Sequence, residues 1–382
     1  MQIYIPENIR TVLDILHNNG YEAYIVGGCV RDAVMGKEPD DYDICTSAYP
    51  EQIKECFAGF TTIDTGIRFG TVVVVSSGEN VEVTTYRIDG KYSDGRHPES
   101  VTFTPSLRED LARRDFTVNA LAYSEEEGVM DFFSGEKAIE EQIIEAVGEA
   151  EKRFEEDSLR IMRALRFASV LGFAIEKSTD EAIRRLFYTL KKVSMERIQT
   201  ELGKLIMGKD ADRILMSYSS ELKETIEGIK PCTVNSMPEN KAYRLGVIFP
   251  ENTDKYLKKL KFDNRTTRSA KNTAEIRKGI FPEKEEDVLM LLNRYGEEIV
   301  KLFAEEHGRS NFLLTILNKK PCYSIKQLNI TGSDLIREGI APGPEIGDLL
   351  EKILTLVISG TIMNTKEDIS AYIKKEFNGK VK

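Results

Sequence analysis

The chain has 382 residues, enough for two to four domains and a substantial core. Its 41 % hydrophobic and 30 % charged content is ordinary for a soluble globular protein. Its apolar runs, of which Ile353 to Met363 comes nearest, fall short of the roughly 18–20 residues a membrane helix needs. A net charge of −10 argues against a simple nucleic-acid binder. Five widely spaced cysteines with no Cys-x-x-Cys and no Cys/His cluster leave no zinc site or disulfide framework. Those thiols, and an opening MQIYIPENIR without a secretory pattern, lead us to expect a cytoplasmic protein.

In chain order, PENIRTVLDILHNNG opens on Pro6, closes on Asn-Asn-Gly and repeats Ile9, Val12, Leu13 and Leu16 at helical spacing. YEAYIV predicts a strand entering a Gly27-Gly28 turn, CVRDAVMG a short helix, DYDICTS a strand and PEQIKECF a helix. GTVVVVSS and NVEVTTYRI predict a hairpin about the turn SGEN. SLREDLARRDFTVNALAY is helical in pattern, and VMDFFSG predicts a last strand. After about residue 137 the strand signals nearly vanish, and charged helical stretches such as EDSLRIMRALRFASVLGF and MERIQTELGKLIMG follow. The expected architecture is an α/β head with a mixed β-sheet, followed by an all-α rear half.

One stretch, VGGCVRDAVMGKEPDDYDI, compresses unusual chemistry. Asp41 and Asp43 stand one residue apart on a predicted strand, so their side chains face the same way. Converging carboxylates suit a hard divalent cation such as Mg2+, and Glu82 in VEVTTYR is the natural third acid. The Gly27-Gly28 turn lets backbone amides approach a triphosphate, and Arg31 with the following helix start adds positive potential. Read separately, the same residues are a turn, a solvated helix start and two loop acids. Farther along, Lys255 to Lys278 holds nine Lys/Arg against Asp263 and Glu275. Within it Lys258, Lys259, Lys261, Arg265 and Arg268 are either a solvated helix face or a phosphate-contact surface.

Three further stretches, DGRHPESVTF, DLARRDFTVNALAY and RFEEDSLRIMRALRFASVLGF, follow VGGCVRD…DYD in order. With these four motifs the chain resembles the bacterial-type (class II) tRNA nucleotidyltransferase and poly(A) polymerase family, which includes the CCA-adding enzymes. The likeness runs through KVSMERIQTELGKLI and returns at ITGSDLIREGIAPGPEIGDLLEKI, while about 215–320 matches weakly. It implies a nucleotidyltransferase head (1–136), a helical neck that reads the base (137–210), and a body (211–320) and tail (321–382) that contact tRNA. It also implies roles for particular residues. Asp41 and Asp43 would hold Mg2+, and Gly28 and Arg31 would contact the incoming triphosphate beside Gly27. Arg114 and Asp115 would hold ribose and phosphates with Asn119 nearby. Asp157 and Arg160 would read the base, with Arg163 and Arg166 lining the same pocket. An Asp and an Arg three apart share a helix face, and together they present an acceptor for an exocyclic amine and donors for ring acceptors. Cytosine and adenine match that pattern; guanine and uracil reverse it. Alternatively, 155–157 are acids of a first helical turn, the arginines a solvated stripe, and their neighbours, Phe167 among them, core.

The sequence departs from the family at Phe69, where a histidine often precedes Gly-Thr, and at Glu145, which stands in an arginine position. The implied reaction is addition of C, C and A to tRNA 3′ ends from CTP and ATP. Enzymes adding only A or only CC, a poly(A) polymerase, and a non-catalytic RNA- or nucleotide-binding module remain alternatives. An intact loop KYSDGRHP disfavours the CC-only reading, and the lack of a basic extension after the tail disfavours the polymerase. The oligomeric state is left open by the sequence.

Overall fold

The structure is a computed structural model that describes residues 3–39, 41–90 and 100–377. The chain forms two compact units, Met1–Thr233 and Val234–Lys382. The KYSDGRHP loop lies outside the described residues. Among the described residues, no helix is long and apolar enough to cross a membrane.

The first unit begins with α1 (Glu7–Asn18), β1 (Ala23–Val26), α2 (Gly28–Val34), β2 (Asp43–Thr46) and α3 (Pro50–Cys56). Then come β3 (Thr61–Gly66), β4 (Thr71–Ser76), β5 (Glu79–Thr85) and the small hairpin β6 (Arg87–Asp89) and β7 (Val101–Phe103). Helix α4 (Leu107–Ala112), β8 (Leu121–Ser124), β9 (Gly128–Asp131) and α5 (Gly135–Glu140) complete the head. Seven strands make one mixed sheet in the order β3-β4-β5-β2-β1-β8-β9, in which only β2 and β5 run parallel. The expected hairpin is β4–β5. Its two turn residues, Ser77 (φ 52°) and Gly78 (φ 84°), both take positive φ, the backbone that matches strand twist in a two-residue turn.

Strand β1 is buried at all four positions because both faces of the sheet are covered. On one face Ile25, Ile44, Val83 and Leu121 pack under Val12 and Leu16 of α1, Val30 of α2, and Ile53 and Phe57 near α3. On the other, Val26, Cys45 and Ala122 pack against Leu107 and Leu111 of α4. Asp43 shares the second face with Cys45 by the two-residue period.

Two expected elements differ. Strand β2 starts at Asp43, so Asp41 lies in the segment leading into it. The helix expected over 106–123 ends at Ala112 and gives way to a 3-10 turn (Thr117–Asn119) and β8. The Asp115 carboxylate accepts from its own neighbour's amide, Phe116 N, at 2.9 Å, a local bond that competes with helix.

The neck follows with β10 (Ile143–Ile144), α6 (Ala150–Glu156), α7 (Leu159–Leu171), β11 (Ala174–Ile175), α8 (Lys177–Leu186) and α9 (Met195–Leu205). Helix α7 packs on α9 through a buried core that includes Ile161, Leu165, Ile198 and Leu202. The second unit is helical throughout its described residues. Phe281, Val288, Phe303, Leu335, Ile353 and Ile369 belong to its core.

Helix α5 starts against the turn that carries Asn119. A β-carbon on Gly135 would stand 2.3 Å from the Thr117 carbonyl oxygen and 2.9 Å from Leu121 Cδ2. Neither the backbone nor a packed leucine has room to yield. Gly135→Ala is therefore expected to destabilise the head by about 1–3 kcal/mol. The check is urea unfolding, where a wild-type midpoint would show that the turn moves freely.

Candidate active site

A cavity of about 440 Å³ opens between the head and the neck of the first unit. It is lined by Gly27, Gly28, Arg31, Asp43, Arg113, Arg114, Asp115, Asn119, Asp157, Arg160, Arg163, Arg166 and Phe167. The structure thus brings together every residue expected at a nucleotide pocket, although they span some 140 positions of sequence. Six arginines face three acids, so the lining is strongly positive.

Each residue reaches the cavity for a local reason. Gly27 (φ 81°) caps α2 in a conformation that side chains disfavour, and a β-carbon there would also lie 2.8 Å from Arg114 Nη1. Arg31, on α2, is 8 % exposed. It donates through Nε and Nη2 to Asp32 (2.9 and 3.0 Å) and through Nη1 to Asn119 Oδ1 (2.6 Å). Asn119 Nδ2 donates to Asp115 Oδ1 at 3.1 Å, and Arg163 Nε donates to Asp115 Oδ2 at 2.7 Å. Arg166 Nε donates to Glu201 Oε2 of α9 at 2.8 Å. The result is a relay of charges and amides from α2 through the 115–119 turn to α7 and α9.

Burial alone raises the Asp115 carboxyl, but Arg163, the Asn119 bond and Arg160 outweigh it and hold the group at about 2. That is below the ordinary value of about 3.9. Ionised Asp115 therefore stabilises the fold above about pH 4, and the contribution is lost as pH falls toward 2. Asp115 in turn raises Arg163, whereas burial lowers Arg166 against the pull of Glu201.

Asp157 and Arg160 both line the cavity, but they do not share a helix face. Asp157 closes α6 with extended backbone (φ −139°, ψ 102°), and α7 begins only at Leu159. The reason is again local: Asp157 Oδ1 accepts from Leu159 N at 3.0 Å, which caps the new helix. The acids at 155–157 thus end one helix rather than start another. Nor is Arg160 the partner of Asp157. Arg197 of α9 grips Asp157 in bidentate fashion at 3.2 and 2.7 Å. Arg160 donates to Glu156 Oε2 (2.8 Å) and to the carbonyls of Arg153 (3.1 Å) and Arg113 (2.9 Å). With Arg160 8 % exposed and the Arg166 side chain at 13 %, the stripe on α7 is not a solvated face.

At the cavity's edge Asp43 opens β2 opposite Val26, next to Gly27. Ile44 pairs with Val83 in the parallel β2–β5 ladder, so Asp43 and Glu82 are neighbours one step back, on the same face. Both carboxyls are held above their ordinary values. Glu82 is raised by desolvation and then by Asp43 and Asp41. Asp43 is raised by desolvation and by Asp41, with Arg114 opposing. Asp41 and Glu82 do not line the cavity itself. Among the described residues, no three His, Cys, Asp or Glu side chains form a closed metal cage. Carboxylates raised by desolvation and like charge, with Arg114 only partly answering Asp43, lie beside an anion cradle and fit Mg2+, which takes one or two protein carboxylates and completes its shell with substrate phosphates and water.

Sequence reasoning missed Arg113, which donates to buried Asp110 at 2.8 and 3.0 Å, and the supporting Asp110, Arg197 and Glu201. Arg113 was legible as half of an Arg-Arg pair; the others carry no signal beyond their charge. Phe69 and Glu145 take part through their backbones, as acceptors for Arg87 and for Thr117 N (2.9 Å).

In the second unit Lys258, Lys259, Lys261, Arg265 and Arg268 are all exposed, on the helix Thr253–Lys259, the turn after it and the helix Asn264–Ile276. Lys258 pairs with Asp254 (2.8 Å), and Arg265 lies 4.0 Å from Glu298. Arg277 turns inward to Glu306 (2.8 Å).

Comparison with known proteins shows the family of the chain. Residues 23–145 match the family described as "Poly A polymerase head domain". Residues 172–218 match "Probable RNA and SrmB- binding site of polymerase A", and 242–373 match a tRNA nucleotidyltransferase domain 2 family. A CCA-adding enzyme of Leuconostoc mesenteroides is 36 % identical over 97 % of this chain and 96 % of its own length. One from Lactobacillus delbrueckii is 37 % identical over 95 % and 96 %. The crystal structure of the Bacillus stearothermophilus CCA-adding enzyme in complex with CTP superposes with a TM-score of 0.82 at 32 % identity, covering 98 % of this chain and 99 % of that one. Likeness of that extent, reaching through head, neck and second unit alike, makes this chain a member of the class II tRNA nucleotidyltransferase and poly(A) polymerase family, in its CCA-adding branch.

Proposed function

We propose that the chain adds C, C and A to tRNA 3′ ends from CTP and ATP, without a nucleic-acid template, releasing pyrophosphate in the cytoplasm. One observation carries this reading: the hydrogen-bonding capacity that Asp157 and Arg160 have left over. Three bonds occupy Arg160, which leaves two of the five donors of a guanidinium. Three bonds occupy Asp157, which leaves about one of a carboxylate's four acceptor sites, on Oδ2. One acceptor and two donors complement the cytosine edge, with its amine, N3 and O2. They serve adenine through its amine and N1. Uracil and guanine present a carbonyl where the amine is needed.

The remaining roles follow from charge. Gly27, Gly28, Arg31, Arg114, Arg163 and Arg166 bind and orient the triphosphate, whose negative charge answers the arginine excess. Asp115 acts as the counter-ion that orders Arg163 and Asn119, since both its oxygens are already engaged. The family typically uses a divalent metal, and Asp41 and Asp43, with Glu82 beside them, are the residues that would hold Mg2+. Bound there, Mg2+ would draw charge off the phosphate oxygens and make the attacking 3′-hydroxyl more acidic. The head, neck, body and tail divide the labour as catalysis (1–136), base reading (137–210) and tRNA contact (211–320 and 321–382). The exposed basic residues 258–268 hold the RNA backbone.

The reading is tested with tRNA lacking CCA, ending in C or ending in CC, each given one nucleotide. Wild-type protein is expected to add two C to the first, one C to the second and only A to the third. Addition of A alone, of C alone, or of long A tails would point to the other branches of the family. In the same assay Asp157→Ala is expected to take up UTP or GTP roughly 10-fold or more faster than wild type, since one good polar pair is worth about 1–3 kcal/mol of discrimination. Unchanged selectivity would leave Asp157 as a helix cap only.

Asp43→Asn separates chemistry from folding. Addition is expected to disappear. Because ionised Asp43 is disfavoured in the fold, the Asn protein is expected to melt no lower than wild type at pH 7.5. The gap should close as acid protonates the wild-type carboxyl. A variant that stays active, or that melts well below wild type at neutral pH, refutes the assignment.

Replacing Lys258, Lys259 and Lys261 together with Gln is expected to weaken tRNA binding. It should also lower the slope of log affinity against log salt by roughly 0.7–0.9 for each phosphate that is no longer neutralised. CTP affinity is expected to hold. A wild-type salt slope would reduce the patch to a solvated face.

A further inference from the structure

Phe167 reads in the sequence as a core residue of α7. It is 5 % exposed, yet it forms part of the cavity wall. Three guanidinium carbons surround its ring: Arg166 Cζ lies 3.6 Å from the centroid, Arg31 Cζ 5.2 Å and Arg163 Cζ 5.3 Å. Phe116 meets the same ring edge-on, with centroids 5.8 Å apart and planes at 77°. The arginines come from two helices, α2 and α7; Glu201 pairs with Arg166 and lies 3.9 Å from Arg163, but no acid among the described residues pairs with all three. Arg31 is tied to Asp32 and Asn119, Arg163 to Asp115, and Arg166 to Glu201.

Three like charges gathered around one point in a low-dielectric wall repel one another. An aromatic face attracts each of them through its quadrupole while carrying no net charge. A carboxylate in the same place would hold the arginines together too, but it would cancel the positive charge that an anionic ligand needs. A ring gathers the cations and leaves that charge available.

We propose that Phe167 is a positioning residue for nucleoside triphosphate binding, its ring holding Arg31, Arg163 and Arg166 as one array that faces the triphosphate. This rests on the reading of the cavity as the nucleotide site. The ring acts on phosphate-facing cations and not on the base-reading pair Asp157 and Arg160. Its loss therefore affects CTP and ATP alike.

The test compares Phe167→Leu, which keeps the apolar bulk, with Phe167→Tyr, which keeps the ring. Equilibrium binding of CTP and of ATP to the full chain is measured by calorimetry, with melting curves alongside. Leu is expected to weaken both nucleotides by roughly 10-fold, the scale of a desolvated cation–π contact. The CTP/ATP ratio should not change, and KM should rise more than kcat falls. Tyr is expected to restore most of the affinity. Wild-type affinity in the Leu variant overturns the proposal, as does equal weakening in Leu and Tyr, because then packing alone matters. Should Leu lower the melting temperature, Phe167→Met, nearer in volume, is read by the same two criteria. Arg166→Ala is the control. If it weakens CTP while Leu does not, only the role of the ring is refuted. If it leaves CTP binding unchanged, the nucleotide reading of the cavity itself has failed.

Discussion

Six guanidinium groups at one cavity have to be reconciled with folding before any ligand arrives. Two unit charges 4 Å apart repel by about 4 kcal/mol at an effective dielectric of 20, and most of these arginines are substantially buried. The fold gives each one an acid. Asp32 takes Arg31, Asp110 takes Arg113 and lies 3.6 Å from Arg114, Asp115 takes Arg163, Glu156 takes Arg160 and Glu201 takes Arg166. The partners are drawn from α2, α4, the 115–119 turn, α6 and α9. Among them Asp115–Arg163 ties the head to the neck within the first unit, and Arg160 adds a bond to the Arg113 carbonyl. The pocket and the joint that shapes it share the Asp115–Arg163 pair, so removing either partner leaves a buried charge and loosens the geometry together.

The opposite imbalance stands a few residues away. Asp43 is pushed toward its neutral form by desolvation and Asp41, which outweigh the pull of Arg114, and Glu82 by desolvation, Asp43 and Asp41. A core built for stability alone would not place like charges on adjacent strand positions. Cations without enough acids on one side, and acids without enough cations on the other, make a site whose two halves are relieved by complementary ligands. Functional sites commonly hold such perturbed groups because the ligand completes the charge balance.

The second unit uses its arginines and lysines differently. Arg277 is answered internally by Glu306, which also accepts from the Tyr243 hydroxyl, and so contributes to packing. Lys261 and Arg268 stay in solvent. Composition counted these residues as one island of charge, but burial divides them into a structural set and a surface set. Only the surface set is available to a phosphate backbone.

Much of the head was legible because its strands carry their own signals. β1 is an apolar run, β4 a run of four valines, and Ser77-Gly78 suits a tight hairpin. The acid pair and the glycine turn were legible because phosphoryl transfer restricts which residue types serve, whereas the arginines of α7 were legible only through the family resemblance. The structure altered the details. Asp41 precedes its strand, the 106–123 segment breaks after one short helix, and Asp157 stands between two helices with Arg197 as its partner. In each of the two broken helices an aspartate spends its side chain on a nearby amide, a bond that a periodicity argument does not see. The sequence by itself determined the residue chemistry and the local propensities, since both depend on neighbours within a few positions. Only the tertiary structure decided that Asp115 answers Arg163, that Glu201 answers Arg166, that Glu82 stands beside Asp43, and that Arg31 joins the cations around Phe167. Those facts depend on contacts between segments tens to more than a hundred residues apart, which local spacing leaves open.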